Sequence, residues 1–329
     1  MTSIAILGAG AWGTALAVKL CPRFDVRLWA RDPALVASTA SSRRNERYLP
    51  DVVLPDSIRV MADVDLAARD VDCIIVATTA AGLIPTILSL PHSATDTPLL
   101  WLSKGFVFDG DDALLPHRAV IRHRPARWGL MSGPSFAQEV ARNAPTALTL
   151  AGCDIAFAEE WSATLRDDTL RLYASDDAIG AEVGGAVKNV LAIATGICDG
   201  LRLGDNARAA LITRGLAEMS RIALALGGRR ETLMMGLSGL GDLVLTCTGG
   251  LSRNRQVGLQ LAAGRPLEQI QHDLQHVAEG VLAAKAVKML SGRLGLEMPI
   301  SDAVYRVLYE GGSPRAAVDA LLRRGPSRE

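Results

Sequence analysis

The sequence has no C-x-x-C pair, no H-E-x-x-H or C-x-x-H pattern, no sustained apolar run and no excess of charge of either sign. Each absence removes a class of function. The five cysteines, Cys21, Cys73, Cys153, Cys198 and Cys247, are odd in number, widely spread and mostly embedded in apolar stretches. They read as reduced core residues of a cytoplasmic protein and exclude a disulfide framework. His272 and His276 stand four apart, the spacing of two metal ligands on a helix, but no third ligand recurs nearby. No metal is therefore expected, and both histidines should face solvent. Nor is there a run of about 18 or more apolar residues free of charges and glycine clusters, so no membrane partner is expected. Lys plus Arg equals Asp plus Glu at 35 each, which leaves no global field to draw nucleic acid. The basic groups Arg43, Arg44 and Arg47, and the run 122–127, read as solvated surface. No internal repeat or low-complexity linker is visible. A chain of 329 residues with this balance suits a two-domain protein acting on a small molecule.

What is present begins at residues 4–17, IAILGAGAWGTALA, where Gly8, Gly10 and Gly13 join a short apolar strand to a small-residue helix. In a G-x-G-x-x-G arrangement Gly8 permits the tight turn and Gly10 lets the backbone approach a pyrophosphate. Gly13 lets the helix pack close to the strand. A bare pattern of this kind means little in a chain with 31 glycines, and its place between a strand and a helix gives it weight. The second strand, 26–30, is followed by Arg31 and Asp32. An arginine here can pair with the 2'-phosphate of NADP, whereas an acidic residue favours the free ribose of NAD. NADPH is thus the expected cofactor, with NADH possible if Asp32 takes the ribose role.

Apolar runs at 58–61, 71–77, 98–103, 128–131, 145–151 and 170–174 read as further strands. They alternate with helical stretches at 33–42, 80–90, 112–123, 136–142 and 156–165. The expected architecture is an α/β doubly wound parallel sheet over residues 1–176, with ligands beyond the strands' C-terminal ends. From 177 to 329 the strand signals stop. Helices are expected at 178–195, 206–226, 255–263, 277–291, 301–309 and 314–324, forming an all-α second domain.

Reduction of a carbonyl needs a proton donor, and no histidine is well placed for the task. Lys188 lies in VGGAVKNV, an otherwise small and apolar helix, so its ammonium either snorkels to water or points into a cleft. Lys104 follows a strand directly and would face the ligand crevice. The loop Ser132-Gly133-Pro134-Ser135 should open a helix with Ser135 as its N-cap. Ser252 can cap another helix, leaving Arg253 and Asn254 in a first turn suited to a phosphate.

GAGAWGTALA, SKG at 103–105, SGPSFA at 132–137, GGAVKNV at 184–190, NARAALITRGLAEMSR at 206–221, GLGDLVLTCT at 239–248, SRNR at 252–255 and VAEG at 277–280 run collinearly through the chain. Together they closely resemble the bacterial NAD(P)-dependent glycerol-3-phosphate dehydrogenases. The resemblance implies a Rossmann-like first domain and an all-α second domain. The implied activity reduces dihydroxyacetone phosphate to sn-glycerol 3-phosphate, the backbone precursor of phospholipids. It further implies that Lys188 is the proton donor or acceptor. Lys104, Gly133, Ser135, Asp242, Ser252, Arg253 and Asn254 would surround the substrate. Ala11, Trp12, Arg31, Ala137, Val277 and Glu279 match cofactor positions, with Lys104 and Arg253 touching both ligands. Two departures are visible, Ala11 where relatives often carry Ser or Asn, and Thr78-Thr79 where a Pro-Ser is common. A homodimer is the expected assembly. The rival readings are a related keto acid reductase and a non-catalytic NADPH-binding sensor.

Overall fold

The computed structural model describes residues 1–124, 126–273 and 278–323. The chain divides into two compact units, one comprising Met1–Val107 and Leu114–Ala178, the other Phe108–Ala113 and Ile179–Glu329.

The first unit is built on an eight-stranded sheet. Its strands are β1 (Ser3–Leu7), β2 (Asp25–Trp29), β5 (Arg59–Met61), β6 (Cys73–Val76), β7 (Leu99–Trp101), β10 (Trp128–Ser132), β11 (Thr146–Gly152) and β12 (Leu170–Ser175), in the order β12-β11-β10-β7-β6-β1-β2-β5. Two short pairs lie outside this sheet, β3 (Arg44–Asn45) with β4 (Leu49–Val53), and β8 (Val107–Asp109) with β9 (Asp112–Leu114). Both β1 and β6 are closed to solvent, as their unbroken apolar runs require when helices cover both faces. The covering helices are α1 (Ala11–Leu20), α2 (Pro33–Ser42), α3 (Val64–Ala68), α4 (Ala80–Leu88), α5 (Pro116–His123), α6 (Ala137–Ala141) and α7 (Ile155–Leu165). Their starts follow the sequence closely. Asp32 accepts the Ala34 N–H at 2.9 Å with Pro33 at the first helical position, and Asp154 accepts the Phe157 N–H at 2.7 Å.

Two expectations need correction. The sheet is not wholly parallel, because β10 and β11 pair antiparallel. A parallel return is usually made through a crossover helix. The five residues of α6 span only about 7 Å, against about 17 Å for a five-residue strand. The expected helix over 112–123 instead begins at Pro116, after β9.

From Ile179 onward every described element is helical: α8 (Ala178–Gly200), α9 (Asp205–Leu226), α10 (Arg230–Met234), a π-helical turn at Leu237–Gly241, α11 (Asp242–Thr248), α12 (Arg253–Ala262), α13 (Leu267–Asp273), α14 (Glu279–Leu294), α15 (Pro299–Tyr309) and α16 (Pro314–Leu322). Helix α8 is long and apolar enough to cross a membrane by length and composition, yet its apolar window is entirely buried within the protein. Glycines let other backbones reach it. A β-carbon on Gly184 would lie 2.2 Å from the Ser238 carbonyl oxygen, and one on Gly196 would lie 2.1 Å from that of Arg255. Buried Glu218 fastens α9 to α15, accepting the N–H groups of Ile300 at 2.6 Å and Ser301 at 3.0 Å. Burial pushes the Glu218 carboxyl up, and these donors only partly pull it back.

Candidate active site

In the first unit the strand order reverses around β1, which is where ligands of such sheets bind. Gly8 follows β1 directly with φ 121°, a conformation that suits glycine. A β-carbon on Gly13 would sit 1.9 Å from the Gly8 carbonyl oxygen, so α1 can approach the turn only because Gly13 has none. A β-carbon on Gly10, by contrast, would meet nothing within 4 Å. No side chain caps α1, whose first residues are Ala11 and Trp12. An open glycine beside an uncapped helix start fits a pyrophosphate.

The start of α1 is tied to the Gly133–Ser135 loop. The Trp12 indole donates to the Ser135 carbonyl at 3.0 Å. Lys104 Nζ donates to the Gly133 carbonyl at 2.8 Å, and Ser135 Oγ donates to the same oxygen at 3.0 Å. Lys104, Gly133, Ser135 and Trp12 are thus brought together, with buried Ala137 opening α6. The expected capping role of Ser135 is wrong. The N-cap is Phe136, without a side-chain bond, because the Ser135 hydroxyl turns back to Gly133. Arg31 is exposed just beyond β2, while one Asp32 oxygen is committed to the start of α2. The basic group at 43–47 is more than solvated surface. Arg43 donates to the carbonyls of Leu54 and Ile58 at 3.3 and 3.2 Å, and Arg44 to Pro50 at 2.9 Å.

The second unit holds Lys188 at 6% exposure, neither snorkelling nor unpaired. Its ammonium lies 2.6 Å from Asp242 Oδ1 and donates to the Thr246 hydroxyl at 2.9 Å. Asp242 is itself only 1% exposed, so the two ions offset each other's burial. The Thr246 hydroxyl donates back to the Asp242 carbonyl at 2.6 Å, which orients its lone pairs toward Lys188. Beside them Cys247 is pushed up to about 12 by burial and stays a neutral thiol.

A second chain of bonds begins next to Lys188. Asn189 Oδ1 accepts from Asn254 Nδ2 at 2.9 Å, and Asn254 Oδ1 accepts the Gly280 N–H at 3.0 Å, joining α8, α12 and the start of α14. Glu279 is the first residue of α14, and Val277 and His276 lie outside the described residues. His272 is exposed beside Asp273. Ser252 caps α12 by accepting the Arg255 N–H at 3.3 Å. Arg255 grips Asp199 through two nitrogens, at 2.9 and 2.7 Å, while neighbouring Arg253 is exposed at the first helical position. Among the described residues no cluster of three or more His, Cys, Asp or Glu could hold a metal ion.

Sequence reasoning passed over Thr246, Asn189 and Asn45. Thr246 stands four residues after Asp242 on one helix, a spacing that puts both on the same face. Asn189 adjoins Lys188, and Asn45 carries no local signal.

A glycine-turn α/β unit followed by a helical unit with a buried lysine defines a dinucleotide-dependent dehydrogenase. Residues 3–158 match the NAD-dependent glycerol-3-phosphate dehydrogenase N-terminus, and residues 177–319 match the C-terminus of the same family. The chain is 52% identical to a glycerol-3-phosphate dehydrogenase [NAD(P)+] from Aromatoleum aromaticum over 99% of both chains. It is also 52% identical to one from Thiobacillus denitrificans over 98% of both. The crystal structure of glycerol-3-phosphate dehydrogenase from Coxiella burnetii superposes with a TM-score of 0.92 at 40% identity, covering 98% of this chain and 99% of that one. The chain belongs to the NAD-dependent glycerol-3-phosphate dehydrogenase family.

Proposed function

We propose that this protein catalyses the reversible reduction of dihydroxyacetone phosphate to sn-glycerol 3-phosphate with NAD(P)H, supplying the glycerol backbone for phospholipid synthesis. The observation that carries the mechanism is the buried Lys188 ammonium held by Asp242 and Thr246. Residues 1–176 act as the dinucleotide-binding domain and 177–329 as the substrate and catalytic domain. Gly8, Gly10, Ala11, Trp12 and Gly13 receive the pyrophosphate, with Arg31, Lys104, Ala137, Arg253, Val277 and Glu279 completing the cofactor set. When bound, the reduced nicotinamide supplies hydride to the central carbon of the substrate. Lys188 donates a proton to the carbonyl oxygen as charge builds there, and in the reverse direction its neutral amine takes the proton back. Asp242 and Thr246 fix Nζ in position, and its positive charge stabilises the developing alkoxide. Ser252, Arg253 and Asn254 bind the phosphate through the start of α12 and a guanidinium fork. Lys104, Gly133 and Ser135 orient the remaining oxygens.

NADPH is the preferred cofactor and NADH a poorer one. Support comes from Arg31 being exposed beyond β2 while Asp32 is engaged as a helix cap. The working form is a cytoplasmic homodimer. The test is saturable NADPH oxidation by the purified protein with dihydroxyacetone phosphate, run beside unphosphorylated dihydroxyacetone and a keto acid. Turnover should require the phosphate. Equal turnover of the keto acid would replace this function with that of a keto acid reductase, and no oxidation at all would leave only a cofactor-binding role.

A further inference from the structure

Asn45 is fully buried, at 0% exposure, on the short β3–β4 hairpin. Its Nδ2 donates to the Ala9 carbonyl at 2.9 Å and to Thr14 Oγ1 at 2.8 Å, and its Oδ1 accepts the Tyr48 N–H at 3.2 Å. Ala9 lies between Gly8 and Gly10, and Thr14 lies in α1. A residue 36 positions away in the chain therefore holds both sides of the glycine turn.

The consequence follows from peptide geometry. In a planar trans peptide the carbonyl and the following N–H point in opposite directions. Fixing the Ala9 carbonyl on the buried Asn45 amide therefore turns the Gly10 N–H to the other side. Gly10 itself borders open space, since a β-carbon on it would meet nothing within 4 Å. A peptide followed by a glycine flips at low steric cost, and a flip would present a carbonyl oxygen where an anion needs a donor. We infer that Asn45 is a positioning residue that locks the Ala9–Gly10 peptide so that its N–H meets the pyrophosphate of the cofactor. The inference rests on the dinucleotide reading of the glycine turn proposed above.

Asn45→Asp keeps the shape while replacing both donated N–H bonds with an acceptor, so it favours the flipped peptide. Asn45→Ser carries the same comparison if the aspartate does not fold. The probes are NADPH, which contains the pyrophosphate, and adenosine 2'-monophosphate, which lacks it. Both variants should bind NADPH about 10-fold or more weakly, the scale of one lost charge-assisted hydrogen bond. Adenosine 2'-monophosphate should compete with affinity within about 2-fold of the parent. The Michaelis constant for dihydroxyacetone phosphate and turnover at saturating NADPH should change little. Equal weakening toward both nucleotides would mean a general structural role and would overturn the inference, as would unchanged NADPH affinity. Failure of the parent protein itself to bind either NADPH or NADH would instead overturn the dinucleotide reading.

Discussion

The polar groups around the glycine turn of the first unit are held mainly by backbone, whereas those around Lys188 in the second are held mainly by side chains. Trp12, Lys104, Ser135 and Asn45 all donate to main-chain carbonyls. Lys188 binds Asp242 and Thr246, and Asn189 binds Asn254. The difference matches the two tasks. A pyrophosphate is bound by N–H groups of a correctly shaped chain, so the first unit should be sensitive to whatever reshapes that turn, a β-carbon on Gly13 or loss of the Asn45 amide. Proton transfer needs one titratable group in one place, so the second unit should be sensitive to single side chains.

The largest effect expected is on turnover. Lys188→Met keeps the approximate length of the stem and removes the ammonium, so turnover should fall about 100- to 10,000-fold in steady-state assays. A loss within about 10-fold would be too small for a general acid and would sink the assignment. In the first unit the matching perturbation is Gly13→Ala, whose β-carbon would strike the Gly8 carbonyl 1.9 Å away. Overpacking against backbone should cost about 3 kcal/mol in a denaturant titration and carry NADPH binding with it. Unchanged stability would show that the turn relaxes freely.

A side-chain network in the first unit, away from the glycine turn, sharpens the contrast. Buried Lys19 pairs with Asp167 at 2.9 Å and donates to Asn143 at 2.9 Å. Burial raises the Asp167 carboxyl, but the Lys19 ammonium and the N–H groups of Leu170 and Thr169 outweigh it, leaving the group below its ordinary value. The stability this pair supplies is therefore present above the ordinary carboxylate pKa and is lost as pH falls through the depressed one. Lys19→Met should cost about 2 kcal/mol near neutrality and flatten that acid-side loss, with NADPH affinity unchanged. An unaltered acid-side slope would show that Lys19 does not set the Asp167 carboxyl.

The smallest effects come as a pair, each about 1.5 kcal/mol for a charged hydrogen bond. Arg253→Ala should raise the Michaelis constant for dihydroxyacetone phosphate and leave any residual activity on dihydroxyacetone little affected. Arg31→Ala should weaken NADPH more than NADH. Equal penalties within either pair would detach that arginine from the phosphate it is assigned.

The same contrast governs what could be read from the sequence. The glycine turn, the apolar strands and the cap at Ser252 are local patterns, and each took its expected form, whereas the cap that Asp32 makes was not anticipated. The antiparallel β10–β11 pair was missed because apolar runs mark a strand without marking its direction. Ser135 was misassigned because its hydroxyl found a nearer acceptor at Gly133. The cleft or solvent alternatives for Lys188 omitted the actual outcome, since the Asp242 pairing joins residues 54 apart. Asn45 was missed for the same reason, its partners Ala9 and Thr14 lying 36 and 31 positions away.

The division of labour between the two units is tested most directly by equilibrium titration of Lys188→Met with NADPH, followed by nucleotide fluorescence. If cofactor binding does not depend on the Lys188 ammonium, the dissociation constant should stay within about 2-fold of the parent while turnover has collapsed. A weakening of about 10-fold or more would show that the Lys188 network helps bind the cofactor, and would contradict the separation of binding from proton transfer.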